Sequence, residues 1–273
     1  MGIPFGPAVL TKGQSYRTLL PPSAYGAEFN GALLTAYAPT LLAALEAARR
    51  ADDRVLLGLT GNEESIRDGN GFSMALWKQR LDRFRGMNLD PYIEDGTIIG
   101  HFIMDEPNDP SNWNGKMVSP AEIDEMARYS KQIWPSMATI IRGWPAYLKG
   151  YEYQYLDAAW AQYHQRFGSI DDFIASNTRD AKASRLALVG GLNLINGGTK
   201  TSGIPGRGPG RYGMSAGEIR TWGGALLSEP YLCAFFVWQH DTDYLSRPGI
   251  REALTDLSRK AASHSEQKCR RQS

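Results

Sequence analysis

The chain has 273 residues, 42% of them hydrophobic, and its 30 Lys and Arg nearly balance 29 Asp and Glu for a formal charge of +1. Basic residues are spread along the chain rather than gathered into a patch interleaved with aromatics, which argues against a nucleic-acid surface. No apolar run approaches the ~18 residues of a membrane span, so no membrane partner is expected. Two small domains would fit this length, but (β/α) barrels of roughly 200–250 residues are commonly single domains.

Short apolar runs bounded by Gly, Pro, Asn or Asp recur along the chain, as strands covered on both faces do. They are Pro4–Leu10, Val55–Thr60, Ile98–Asp105, Met137–Ile141, Tyr155–Ala161, Leu186–Leu194 and Leu232–Trp238. Amphipathic stretches lie between most of them. Thr40–Arg50 sets Leu41, Leu42, Leu45 and Ala48 on one face. Ser119-Pro120-Ala121-Glu122 reads as a capping box with proline at the first helical position, opening a helix to about Ile133. Ser215 with Glu218 reads as a second box, Ser169 with Asp172 as a weaker one, and a last helix is expected over Ile250–Ala262. Alternating β and α units imply parallel strands with right-handed crossovers.

The expectation is therefore a single (β/α)8 (TIM) barrel over residues 1–262 with an irregular N-terminal strand; an open doubly wound sheet is the alternative. Seven strands are counted, and Ser15–Leu20 is the candidate for the missing one, cut short by Pro21-Pro22. Counting back from the C-terminus makes Ile98–Asp105 strand four, Leu186–Leu194 strand seven and Leu232–Trp238 strand eight. The polar residues 263–273 read as a disordered tail. Gly197–Gly213, rich in Gly and Pro, reads as a mobile lid, and its Gly206-Arg207-Gly208-Pro209-Gly210 lacks the context of a phosphate cradle. Cys233, in an apolar run, and Cys269, in the tail, read as one buried and one exposed thiol. Met1-Gly2-Ile3-Pro4 shows no signal peptide, and a leader removed before this numbering keeps secretion open beside a cytoplasmic location.

The chemistry is sought at the strand ends. Ile98–Asp105 runs into Asp105-Glu106-Pro107, two adjacent carboxylates. Successive strand side chains alternate in direction, so both face one site only if the strand ends between them. The plain alternative is that they cap the loop and the next helix.

This motif resembles the strand-four ending of the large clan of retaining glycoside hydrolases with (β/α)8 barrels, and more closely that of glycosidase-like barrels carrying Asp-Glu-Pro. The resemblance implies that Glu106 is a general acid/base and that Asp105 stands where the clan has a sugar-contacting asparagine. It also implies a nucleophilic acid at the end of strand seven. That strand reads Gly190-Gly191-Leu192-Asn193-Leu194-Ile195-Asn196-Gly197 and holds no acid, so the clan's retaining mechanism does not carry over.

Glycoside hydrolysis commonly uses two carboxylates. Asp241, after strand eight beside His240, is the expected partner of Glu106, with Glu63, in Gly61-Asn62-Glu63-Glu64 after strand three, next. Asp157 reads as a buried, hydrogen-bonded acid. Trp144 and Trp238 are weighed evenly between sugar platforms and core, while Trp160 reads as core. Arg142, Gln162, Asn193 and Asn196 are expected to bind substrate, with Arg142 also a candidate salt-bridge partner of Asp105. Histidines 101 and 240 raise a metal alternative built on Glu106, His240 and Asp241, but neither a ligand spacing nor a strand-one His-x-His pair accompanies it. No cofactor and no metal are therefore expected. A serine hydrolase is not expected. The reading is a glycoside hydrolase acting on carbohydrate. Its rivals are a non-catalytic glycan-binding barrel and a hydrolase or lyase for another polar substrate. The sequence sets no oligomeric state.

Overall fold

A computed structural model describes residues 2–8 and 20–272. Eight parallel strands form the sheet: β1 (Phe5–Pro7), β2 (Gly31–Thr35), β3 (Arg54–Gly58), β4 (Ile98–Asp105), β5 (Thr139–Arg142), β6 (Ala158–Tyr163), β7 (Ala187–Asn193) and β8 (Leu232–Trp238). Their order is β1-β8-β7-β6-β5-β4-β3-β2. The ring closes where the Asn30 backbone N–H donates to the Phe5 carbonyl (3.1 Å) and the Phe5 N–H to Asn30 Oδ1 (2.8 Å). The chain is a (β/α)8 barrel.

The main crossover helices are α1 (Leu41–Arg50), α2 (Met74–Leu81), α3 (Pro120–Ile133), α4 (Ile170–Ala183) and α5 (Ile250–Ser263). Ser119 and Glu122 form the expected capping box on α3, and Ser215 with Glu218 forms the other. The second strand is the one the sequence reading misses. Ser15–Leu19 lie outside the described residues, Leu20 belongs to no strand, and Gly31–Thr35 supplies the place instead.

Alternate strand residues fill the barrel interior, where Leu56, Ile140, Trp160, Val189 and Phe236 pack together. The opposite strand faces meet the helices in two further cores, one on the β3–β5 side and one on the β7–β8 side. His101 belongs to this outer layer. It is fully buried, stacks on Trp77, and its Nδ1 lies 2.8 Å from Ser130 Oγ on α3. Far from any ligand role, it is a core residue whose burial pushes its pKa down to about 3.

A depressed histidine pKa means that the unfolded chain takes up a proton below pH ~6.5 while the folded chain refuses it. Stability should therefore fall from about pH 6.5 towards pH 3, by up to about 1.4 kcal/mol per pH unit from this residue. Denaturant unfolding at pH 7 and pH 5 measures the loss, and the part owed to this ring should vanish in His101→Gln.

The cysteine expectation is corrected. Cys233, at the start of β8, is joined to Cys269 across a Cα–Cα distance of 5.1 Å. Residues around Cys269, expected as a disordered tail, lie along the amino-terminal ends of the strands. The Gln272 N–H donates to the Arg185 carbonyl before β7 (2.9 Å), and Arg271 Nη1 donates to the Tyr153 carbonyl (2.6 Å). The Arg271 N–H donates to Asp157 Oδ1 before β6 (3.3 Å). Asp157 is the buried, hydrogen-bonded acid its sequence context suggests; its other oxygen also accepts from the Thr139 N–H and meets Lys131 Nζ at 2.6 Å.

Candidate active site

At the opposite end, the carboxyl ends of β4 to β8 enclose a cleft of about 770 Å³. Barrel enzymes carry their chemistry at this end, because residues from several strands converge there on loops held by a rigid frame. Eight of the expected residues line it: Asp105, Glu106, Arg142, Trp144, Gln162, Asn193, Asn196 and Trp238.

Strand β4 ends at Asp105, and Glu106 takes a positive φ of 38°. This is the left-handed region, rare for a residue with a side chain. The turn breaks the strand's alternation, so both carboxylates face the cleft. Three hydrogen bonds hold the Glu106 backbone there. Its N–H donates to the Arg142 carbonyl (2.8 Å), and its carbonyl accepts from Trp113 Nε1 and the Asp109 N–H, both at 3.0 Å.

Arg142, at the end of β5, grips Asp105 through two donors, Nε on Oδ1 and Nη2 on Oδ2. It also donates from Nη1 to Gln162 Oε1 (3.0 Å) on β6 and lies 3.5 Å from Glu106 Oε1. A bidentate pair of this kind fixes geometry as well as charge. Beside that longer contact with Arg142, the Glu106 carboxylate has a hydrogen bond with the Asn112 side chain, which favours its charged form. Burial pushes its carboxyl above the ordinary carboxylate range; Arg142 opposes the shift, while the neighbouring Asp105 and Asp109 charges add to it. A glutamate so tuned holds a proton at higher pH than usual, as a general acid must.

The end of β7 carries Asn193 where a second acid would be sought. Its Oδ1 accepts from the Asn196 N–H (2.9 Å), and Asn196 Oδ1 accepts from the Arg207 N–H (2.7 Å). Gly191, one inward position below, admits no side chain: a Cβ there would sit 2.1 Å from the Phe236 carbonyl oxygen.

Three expected residues do not line this cleft. Asp241 caps a short helix, its Oδ1 accepting from the Tyr244 N–H (2.9 Å) and its Oδ2 from Arg207 (2.7 Å). Burial works against its ionisation, but these donors outweigh it and hold the carboxyl below its ordinary range. His240 is buried with its ring edge-on to Tyr25 and Phe29. Glu63 lines a second cleft of about 620 Å³, over β2 to β4, that shares Asp105 with the first. Burial, then the Asp105 charge, raises its carboxyl too. Among the described residues, no group of three His, Cys, Asp or Glu is arranged to hold a metal ion.

The aromatic residues divide. Trp160 is 1% exposed and packs against Phe102 and Phe236, so it is core as expected. Trp144 is 49% exposed, edge-on to Phe167 at 4.8 Å, and Phe167 stacks on His164. His164, Arg166, Phe167, Asn108 and Asp109 also line the cleft and were not singled out in the sequence. His164 falls two residues after Gln162 and four after Trp160, but it lies just past the end of β6, at the start of the turn that follows.

The loop over 197–213 folds back on itself. Pro205 bridges Tyr212, and Arg207 ties the loop to Asp241.

The class defined by these observations is a (β/α)8 barrel with a carboxylate-bearing cleft at its strand ends, the fold shared by glycoside hydrolase barrels. Among solved structures the chain is similar to xylanase 10B from Thermotoga petrophila in complex with xylobiose. There the TM-score is 0.57 at 12% identity, over 95% of this chain and 94% of that one. It is also similar to the Gas2 protein of Saccharomyces cerevisiae in complex with laminaritetraose and laminaripentaose (TM-score 0.58, 13% identity, 100% of this chain and 68% of that one). A β-glucanase from Saccharophagus degradans matches with a TM-score of 0.55 and 11% identity, over 87% of this chain and 80% of that one. No protein-family model and no curated protein matches the sequence. Identities this low establish the fold alone.

Proposed function

We propose that this protein is a glycoside hydrolase in which Glu106 is the general acid. The observation that carries the reading is the Glu106 carboxyl at the barrel mouth, raised above its ordinary range beside the Arg142–Asp105 clamp in a cleft walled by Trp144 and Trp238. Glu106 would deliver its proton to the leaving glycosidic oxygen as the bond to the anomeric carbon breaks, and a second carboxylate would activate water or stabilise the cationic transition state. For that partner we set Glu63 before Asp241. Glu63 flanks Asp105 from the adjoining cleft, whereas both Asp241 oxygens already accept hydrogen bonds. With Asn193 at the end of β7, inversion by a water molecule suits the site better than an enzyme nucleophile there.

The test is hydrolysis of aryl glycosides and β-linked polysaccharides by the purified chain, beside Glu63→Gln and Asp241→Asn. Activity lost in Glu63→Gln and kept in Asp241→Asn supports this pairing. The reverse result returns the role to Asp241. Glycan binding with no hydrolysis of any substrate would make the chain a binding barrel instead.

Trp144 is read as a sugar platform. Trp144→Ala should weaken glycan binding about tenfold, the worth of one aromatic stacking contact, while the melting temperature stays nearly constant. A large drop in melting temperature with unaltered affinity would assign the ring to packing. The Cys233–Cys269 pair supports an oxidising compartment, since disulfides persist there. No described helix is long and apolar enough to cross a membrane.

A further inference from the structure

Three residues at alternate positions, Trp160, Gln162 and His164, line the cleft from β6 and the turn that follows it. Each offers a nitrogen donor. Trp160 Nε1 and Gln162 Nε2 are buried and have no acceptor among the described residues. The Gln162 amide is oriented by Arg142, whose Nη1 donates to Oε1 at 3.0 Å, so the unmatched group is the NH2.

His164 carries the argument further. The Arg166 backbone N–H donates to its Nδ1 (3.2 Å), and Arg166 Nη2 lies 3.3 Å from its Nε2. Burial first, then the charge of Arg211, lowers the ring's pKa to about 4, so at neutral pH it is uncharged with a single lone-pair nitrogen. The backbone N–H claims that lone pair at Nδ1, which puts the ring proton on Nε2. Two donors, Nε2–H and the Arg166 guanidinium, then face each other with no acceptor between them. Among the described residues Arg166 makes no ion pair that would neutralise it. On the β7 side the amide oxygens of Asn193 and Asn196 are engaged by backbone N–H groups.

Acceptors therefore lie over β4, as Asp105, Glu106 and Asp109, and donors over β6. A sugar hydroxyl on the β6 side would need an acceptor for its own proton. An oxyanion only accepts.

We propose that His164 Nε2 and Arg166 seat an oxyanion substituent of the substrate, a carboxylate or sulfate ester, with Gln162 Nε2 donating to the same sugar, so that the substrate is an acidic saccharide. This deepens the glycoside reading and rests on it. The seat is tested by calorimetric binding to the Glu106→Gln chain, which binds without turning over. The probes are oligoglucuronide and oligogalacturonide, the same oligosaccharides with their carboxylates reduced to alcohols, and the reduced forms sulfated at O6.

At least one anionic form should bind about tenfold to a hundredfold more tightly than its reduced counterpart, the worth of charge-assisted hydrogen bonds. The added change Arg166→Gln should abolish that preference, lowering affinity for the anionic form about tenfold to a hundredfold more than for the reduced one. Whether the carboxylate or the sulfate form gains identifies the substituent. In the 15N NMR spectrum the His164 ring should be the Nε2–H tautomer, and that proton should shift with anionic but not with reduced ligand. Equal affinity for anionic and reduced forms, or a preference that survives Arg166→Gln, overturns the seat and leaves the glycoside reading standing. Binding of none of these saccharides removes both.

Discussion

Glu106→Gln is expected to lower turnover by ~10²–10⁴-fold on any glycoside the parent chain hydrolyses, the usual worth of a positioned general acid. The substitution keeps the side chain's shape and the three backbone hydrogen bonds that hold it, from its N–H to the Arg142 carbonyl and from Trp113 Nε1 and the Asp109 N–H to its carbonyl. Folding should therefore survive, and the melting temperature should stay within a few degrees. The pH profile supplies a second readout. A general acid works while protonated, so activity is kept below its pKa and lost as pH rises through it. Burial, with Asp105 and Asp109, moves this limb above the ordinary glutamate value, and Arg142 limits how far. The glutamine variant should show no such limb in its residual rate. Unchanged turnover would remove Glu106 from the reaction, and a retained limb would assign the titration to another group, Glu63 being the first to examine.

The barrel was legible because its rhythm is local. Ile98–Asp105 and Leu232–Trp238 are apolar runs stopped by an acid pair and by a polar turn, and the structure gives both strands the bounds read from sequence. Gly31-Ala32-Leu33-Leu34-Thr35 was missed because glycine, alanine and leucine carry no β signal. Its extended form comes from pairing with β3 along its whole length and from Asn30 reaching Phe5, contacts between distant parts of the chain.

The same distinction runs through the site. Residues at strand ends, such as Glu106, Arg142, Gln162 and Asn193, converge because the frame points them inward. Glu63 and Asp241 sit on loops, and the direction a loop takes after its strand is set by partners such as Arg207 that spacing does not reveal. Asp105 with Arg142 was foreseeable as a charge pair on neighbouring strands. The donor-against-donor contact of His164 and Arg166 depends on a turn just beyond the last strand residue, where no periodicity reaches.

Breaking the Cys233–Cys269 bond should cost about 4 kcal/mol of stability without touching catalysis. The two cysteines are 36 residues apart, and closing a loop of that length removes about this much free energy from the unfolded ensemble in the chain-entropy account. For a domain of this size the loss corresponds to a fall of roughly 8–15 °C in melting temperature. Cys269→Ala is the cleaner variant, since both cysteines are buried in the same interior cluster with Ala234 and Phe236, where a new hydroxyl would add a burial cost of its own. The melt of the parent with reductant should agree with that of Cys269→Ala, and both should lie below that of the parent without reductant. The cleft lies at the other end of the strands, so kcat/KM at 25 °C should be unaltered in the same samples. A melting temperature that moves by less than about 2 °C would mean that the bonds from Arg271 and Gln272 hold this segment without the disulfide. A fall in kcat/KM at constant fold would couple the two ends of the barrel and tie the cleft's geometry to the packing of its floor.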